Sequence, residues 1–139
     1  KSGLDYSVIV KRFVHHDEVP DYLSLGHFGI CPVKPVFTKQ YCTPIKNAEY
    51  WAMGLPVVIT KNISTDSELI SNNNIGYTLQ ELNTSEYLNA AKKIDELIRD
   101  PLLAKKIRII GEKYRSYSIA EDIYKTIYAW NFFRLNCKG

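Results

Sequence analysis

One stretch, Cys42–Thr60 (CTPIKNAEYWAMGLPVVIT), constrains the fold more than any other part of the chain. It predicts a loop, a helix, a glycine stop and a buried strand in immediate succession. Thr43 is placed to act as N-cap, its hydroxyl accepting from a free backbone N–H of the first turn. Pro44 falls at the first helical position, where its missing N–H costs nothing and its φ is already helical. Ile45–Met53 contains good helix formers and no Gly or Pro. Gly54 suits the left-handed residue that closes a helix. Leu55–Thr60 is a continuous apolar run rich in β-branched residues, as expected of a strand covered on both faces.

Chemistry follows from that layout. The first turn, Pro44–Asn47, presents unpaired N–H groups and the positive end of the helix dipole, a ready site for phosphate. A Lys in the first turn of an ordinary helix opposes the dipole, so Lys46 hints at an anion nearby. Glu49 and Tyr50 follow one turn later. A carboxylate accepts from two hydroxyls at once, which matches a vicinal diol such as ribose. On residue type alone, a solvated surface glutamate is the commoner reading of Glu49.

Length and composition set bounds. The 139 residues allow one domain with a real core. A 45% hydrophobic and 24% charged content is globular. The net charge of +3 suits an anionic small ligand or the edge of an anionic membrane. Lysines and arginines are scattered, without the basic stripe of a nucleic-acid binder. No run approaches the ~18 apolar residues of a membrane span. Three cysteines, Cys31, Cys42 and Cys137, lack paired or metal-type spacing. That pattern suits reduced thiols and a cytoplasmic setting. Cys42 borders the proposed phosphate loop, but no histidine is near in sequence, which favours a packed or partly exposed thiol over a nucleophile.

Taken in order, Ser7–Phe13 (SVIVKRF) reads as a strand. His15, His16, Asp17 and Glu18 make a polar loop; the histidines lack the helical spacing of a metal motif. Val19–Leu25 is a short helix and Phe28–Pro32 a second buried strand. Val33–Thr43 is an extended loop at that strand's carboxyl end, where ligands bind in doubly wound sheets. Its Lys34 and Lys39 are within reach of a diphosphate or sugar. Pro56–Thr60 is the third strand. Thr65-x-x-Glu68 is a capping box for a short helix, and Ile75–Leu79 is a fourth strand. A helix over Ser85–Arg99 should bury Leu88, Ala91, Ile94, Leu97 and Ile98. Another runs from Asp100-Pro101 to about Tyr114. Ser118-x-x-Glu121 caps a last helix, Ile119 to about Leu135. On it Ile119, Ile123, Ile127, Trp130 and Phe133 form one stripe and Tyr124, Tyr128 and Phe132 add aromatic surface beside it. That width suggests either a broad packed face or a second contact. The alternation of strands and helices makes the fold α/β, a parallel Rossmann-like sheet of about four strands with terminal helices after it.

The pattern Pro44-x-Lys46-x-x-Glu49-Tyr50-x-Ala52-x-Gly54-x-Pro56-Val57-Val58 resembles the C-terminal domain of a GT-B glycosyltransferase, of the retaining family-4 type. Val19-Pro20-Asp21-Tyr22-Leu23 and Gly29-Ile30-Cys31-Pro32 resemble the preceding helix and strand. Ser67-Glu68-Leu69-Ile70 and Ile75-Gly76-Tyr77 resemble the segment after it. The likeness spans about Val8 to Leu79 and extends more loosely to the later helices.

That resemblance implies a nucleotide sugar as substrate, with no metal and no cofactor. It implies that Glu49 binds the donor ribose. Thr43, Pro44, Ile45 and Lys46 then lie at the diphosphate and donor sugar. The backbone around Phe13 and Val14 meets the base; Lys34, Lys39 and Tyr41 are candidate loop contacts, the lysines by reach alone, with solvated loop lysines the equal alternative. Many members carry a further glutamate at the place of Tyr41, so the identity of the sugar is open. The resemblance also implies partners: an acceptor glycan or lipid, and an N-terminal acceptor-binding domain beyond these residues. The chain, residues 1–139, then reads as a single partial domain, a hexosyltransferase fragment inactive alone. Its setting would be polysaccharide biosynthesis, in the cytoplasm or peripheral at the inner membrane face. A sugar-nucleotide epimerase of similar fold and a non-catalytic nucleotide-binding or regulatory module are the alternatives. For a phosphorylated receiver domain the acidic cluster at the first strand is not evident.

Overall fold

The computed structural model describes the chain from Ile9 to Asn136, and its side chains as far as Tyr128. Its elements are α1 (Val19–Ser24), β1 (Gly29–Cys31), α2 (Ile45–Ala52), β2 (Val57–Thr60), α3 (Asp66–Asn73), β3 (Gly76–Leu79), α4 (Thr84–Leu97), α5 (Leu103–Arg115) and α6 (Tyr117–Asn136). Three strands form one parallel sheet in the order β1-β2-β3. Ile30 faces Val58, and Val58 faces Tyr77. The α/β, Rossmann-like architecture with helices after the sheet is thus as expected.

The centre of the sheet is dry. All of β2 is buried, as its unbroken apolar run requires. Trp51 of α2, Ile70 of α3, Ile107 of α5, Ile63 and Ile75 close over it with no exposed surface. α2 lies across β1 and β2 and packs on α5, while α3 and α4 cover β3. Gly54 ends α2 at φ +77°. Its N–H reaches Trp51 O (2.9 Å) and the next N–H, from Leu55, reaches Tyr50 O (2.9 Å). That paired closure is the Schellman arrangement, and it turns the chain directly into β2.

Several local expectations change. Of the strand expected at Ser7–Phe13, Ser7 and Val8 lie outside the described residues, and Ile9–Phe13 is irregular and exposed. β-branched residues favour a strand only where a neighbour accepts their hydrogen bonds, and within the described residues β1 pairs with β2 alone. α3 runs on through Asn72 and Asn73 and is closed by Asn74 at φ +51°. On α4 the buried positions are Ala90, Ile94 and Leu97, while Leu88, Ala91 and Ile98 are exposed. The helical period fits both registers, and contact with β3 selects one. Asn83 caps α4 as its sequence indicates, its side chain accepting from the Glu86 N–H at 2.9 Å.

The two capping boxes are not formed. At α3 the hydroxyl of Thr65 accepts from Arg115 (3.0 Å) instead, and Ser64 Oγ takes the Asp66 N–H (3.1 Å). At α6 the helix begins earlier, and Ser116 Oγ receives the Ser118 N–H (3.2 Å). Along α6, Ile123, Ile127, Tyr124 and Tyr128 are all exposed. The side chains of Trp130, Phe132 and Phe133 lie outside the described residues.

Candidate functional site

The carboxyl ends of β1 and β2 lead into the loops that precede α2 and α3, and the site is built there. After β1 the chain runs through Lys34 to a single turn of tight helix, Phe37–Tyr41. Gln40 O accepts from the Ser64 N–H at 2.9 Å, which ties this loop to the turn before α3. Lys34, Lys39 and Tyr41 are exposed. The Tyr41 ring stands edge-on to Phe37, with centroids 5.9 Å apart.

The loop delivers the chain to α2. Pro44, not Thr43, is the N-cap: it has extended backbone (φ −69°, ψ 116°), and no side chain caps the helix. Proline has no N–H to lose in either position, so the shift by one residue keeps its advantage. Asn47 N–H reaches back to Pro44 O at 3.1 Å. Among the described residues, the N–H groups of Ile45 and Lys46 have no protein acceptor. Thr43, Ile45 and Lys46 are exposed, and Pro44 is half-buried. The positive end of α2 therefore faces solvent.

One turn on, half-buried Glu49 borders a cleft of about 290 Å³ between α1 and α2. Val19, Pro20 and Leu23 line it from α1, Ala52 and Met53 from the end of α2, and His16 from the segment before α1. Phe13 and Val14 are not in its lining: Phe13 is 95% exposed and Val14 half-buried in the segment leading to it. The sequence-predicted residues thus fall in two groups. Thr43–Lys46 and Glu49 come together along one helix, while Phe13, Lys34, Lys39 and Tyr41 stand out in solvent around it.

Beneath α2 lies a polar network that its sequence does not announce. Asn47 has no exposed surface, and its Nδ2 donates to Asp66 Oδ2 at 2.8 Å. Asp66, also fully buried, accepts from Arg115 through its other oxygen. The Arg115 guanidinium stands 6.0 Å from the centroid of the Trp51 ring. The only trace of this in the chain is Asn47 itself, a polar residue one turn before Trp51 on the buried face.

Two titratable groups record the same neighbourhood. Burial pushes the Cys31 thiol above its ordinary 9.0, with Lys46 lowering it and Asp66 raising it. Burial likewise raises the Tyr50 hydroxyl, with Cys31 and Glu49 adding to the effect. Cys31 ends β1, so the tip of α2, the start of α3 and the carboxyl edge of the sheet sit within one electrostatic field. Among the described residues, no three His, Cys, Asp or Glu side chains gather as a metal cluster. Nor is any helix there long and apolar enough to cross a membrane.

A parallel sheet whose carboxyl edge carries an open helix tip and, one turn on, a cleft-lining carboxylate places the molecule among Rossmann-like α/β domains. More narrowly, the chain belongs to the family described as glucosyltransferase 3-like, C-terminal domain, which matches residues 3–107. It is a glycosyltransferase C-terminal domain. No curated protein and no solved structure matches it.

Proposed function

We propose that this domain supplies the donor site of a GT-B glycosyltransferase of the retaining, family-4-like type, with a nucleoside diphosphate glucose as donor. The observation that carries the reading is the pairing, on α2, of a solvent-facing tip and a cleft-lining Glu49 one turn away. The family description favours the glucosyl donor.

Transfer breaks the bond between the anomeric carbon and the diphosphate, so negative charge grows on the leaving oxygen. Fixed donors placed where that charge develops lower the barrier. The N–H groups of Ile45 and Lys46, the dipole of α2 and the Lys46 ammonium supply them without requiring a metal. Glu49 accepts from the ribose hydroxyls and so sets the position of the phosphates. The apolar wall of α1 then adjoins the nucleoside, with Phe13 and Val14 on the approach to the base. Lys34, Lys39 and Tyr41 reach the donor from the loop. The acceptor, a glycan or lipid of polysaccharide biosynthesis, and the N-terminal domain that binds it complete the enzyme. It works in the cytoplasm, at the inner membrane face where the acceptor is a lipid.

Glu49→Gln in the full-length enzyme tests this directly. Loss of charge-assisted hydrogen bonds should weaken nucleoside diphosphate binding by about 1.5–3 kcal/mol, read by calorimetry. Unchanged affinity rejects the ribose role. Turnover of the donor that requires an acceptor separates transfer from epimerisation.

A further inference from the structure

We propose that Asp66 is a positioning residue for the donor site, acting through Asn47 and locked in place by Arg115. The inference rests on the donor-site reading above and concerns what aims α2. Asn47 and Trp51 lie one turn apart on the same face of that helix, and both are completely buried. Asp66 holds the first through the 2.8 Å bond from Asn47 Nδ2. Arg115, bonded to the other oxygen of Asp66 and to Thr65 Oγ1 (3.0 Å), stands over the second. The helix is therefore gripped at two successive turns by one ion pair. With 100° between consecutive residues, fixing the face of Asn47 and Trp51 fixes where Lys46 and Glu49 point.

A purely stabilising role accounts poorly for this arrangement. Apolar side chains of similar volume are generally as stable as a buried ion pair. They would, however, lack the directional hydrogen bond that fixes the Asn47 side chain. Among the described residues the Asn47 side-chain oxygen is buried with no partner, so that side chain is set by its single bond to Asp66.

A double-mutant cycle in the full-length enzyme tests the proposal. The variants are Glu49→Gln, Asp66→Asn and the pair. The probe is whichever common nucleoside diphosphate the wild-type enzyme binds most tightly, with affinity read by calorimetry and folding by circular dichroism. Glu49→Gln should cost about tenfold or more in the wild-type background. With Asp66→Asn already present it should cost little, because the carboxylate no longer meets the ribose. A merely structural role leaves the Glu49→Gln cost the same in both backgrounds and overturns the inference. If Glu49→Gln costs nothing even in the wild type, the donor-site reading itself fails and takes this inference with it. Should Asp66→Asn not fold, Arg115→Lys carries the same cycle, since it keeps the charge but loses the planar guanidinium that reaches Asp66 and Thr65 while standing over Trp51.

Discussion

The ring of Tyr50 lies so close over Gly29 that a side chain at position 29 would fall inside it. Tyr50 belongs to α2 and Gly29 opens β1, so this contact sets how near the helix comes to the sheet edge. Tyr50, next to the proposed ribose carboxylate, is therefore a packing residue.

Gly29→Ala should destabilise the domain by about 1–3 kcal/mol through overpacking. The loss should shrink when Tyr50→Ala removes the ring. Denaturant midpoints at constant m-value check both variants.

Arg115→Ala leaves the fully buried Asp66 carboxylate without its charge partner. Breaking a buried pair in this way costs about 3–5 kcal/mol. Replacing both partners, Asp66→Leu with Arg115→Met, should regain part of that stability, the rest being lost because Asn47 Nδ2 is left buried without its acceptor, as measured by equilibrium unfolding. The same double variant should bind nucleotide poorly if the pair aims α2.

Stability should fall in alkali. Cys31 and Tyr50 both have raised pKa values in the fold, Cys31 from 9.0 and Tyr50 from 10.0. Below those values the groups are neutral folded and unfolded alike, and their contribution is fully present. As pH rises past about 9, the unfolded chain releases its protons first, and stability is lost until the folded groups also titrate. Cys31→Ala should remove the earlier part of this decline. Unfolding midpoints between pH 7 and 11 read the difference.

Cys42 is exposed beside the tip of α2, whereas Cys31 is buried. In a Cys137→Ala background, a thiol reagent at neutral pH should modify Cys42 in the folded enzyme and Cys31 only after denaturation. Saturating nucleoside diphosphate should slow the Cys42 reaction several-fold if the diphosphate sits on Thr43–Lys46. An unchanged rate would move the phosphates elsewhere.

How legible this was depends on range. Thr43 and Pro44 were one residue out of register as cap and first turn, because proline satisfies either position. Ser7–Phe13 carried the β-branched signature of a strand, yet Ile9–Phe13 has no described neighbour to pair with. The spacing of Glu49 one turn from the tip of α2 was readable because both lie on one short helix. His16 was readable only as a polar loop residue, and its place in the lining of the Glu49 cleft comes from how α1 packs.

Local order alone determined the loop, helix, glycine stop and strand of Cys42–Thr60, and with them the open tip, since capping, propensity and the left-handed glycine act between near neighbours. Which face of α2 points inward was decided only in three dimensions. Asn47, Asp66 and Arg115 meet across gaps of 19 and 49 residues, and no rule of spacing foretells a buried charge pair whose partners are brought together by packing.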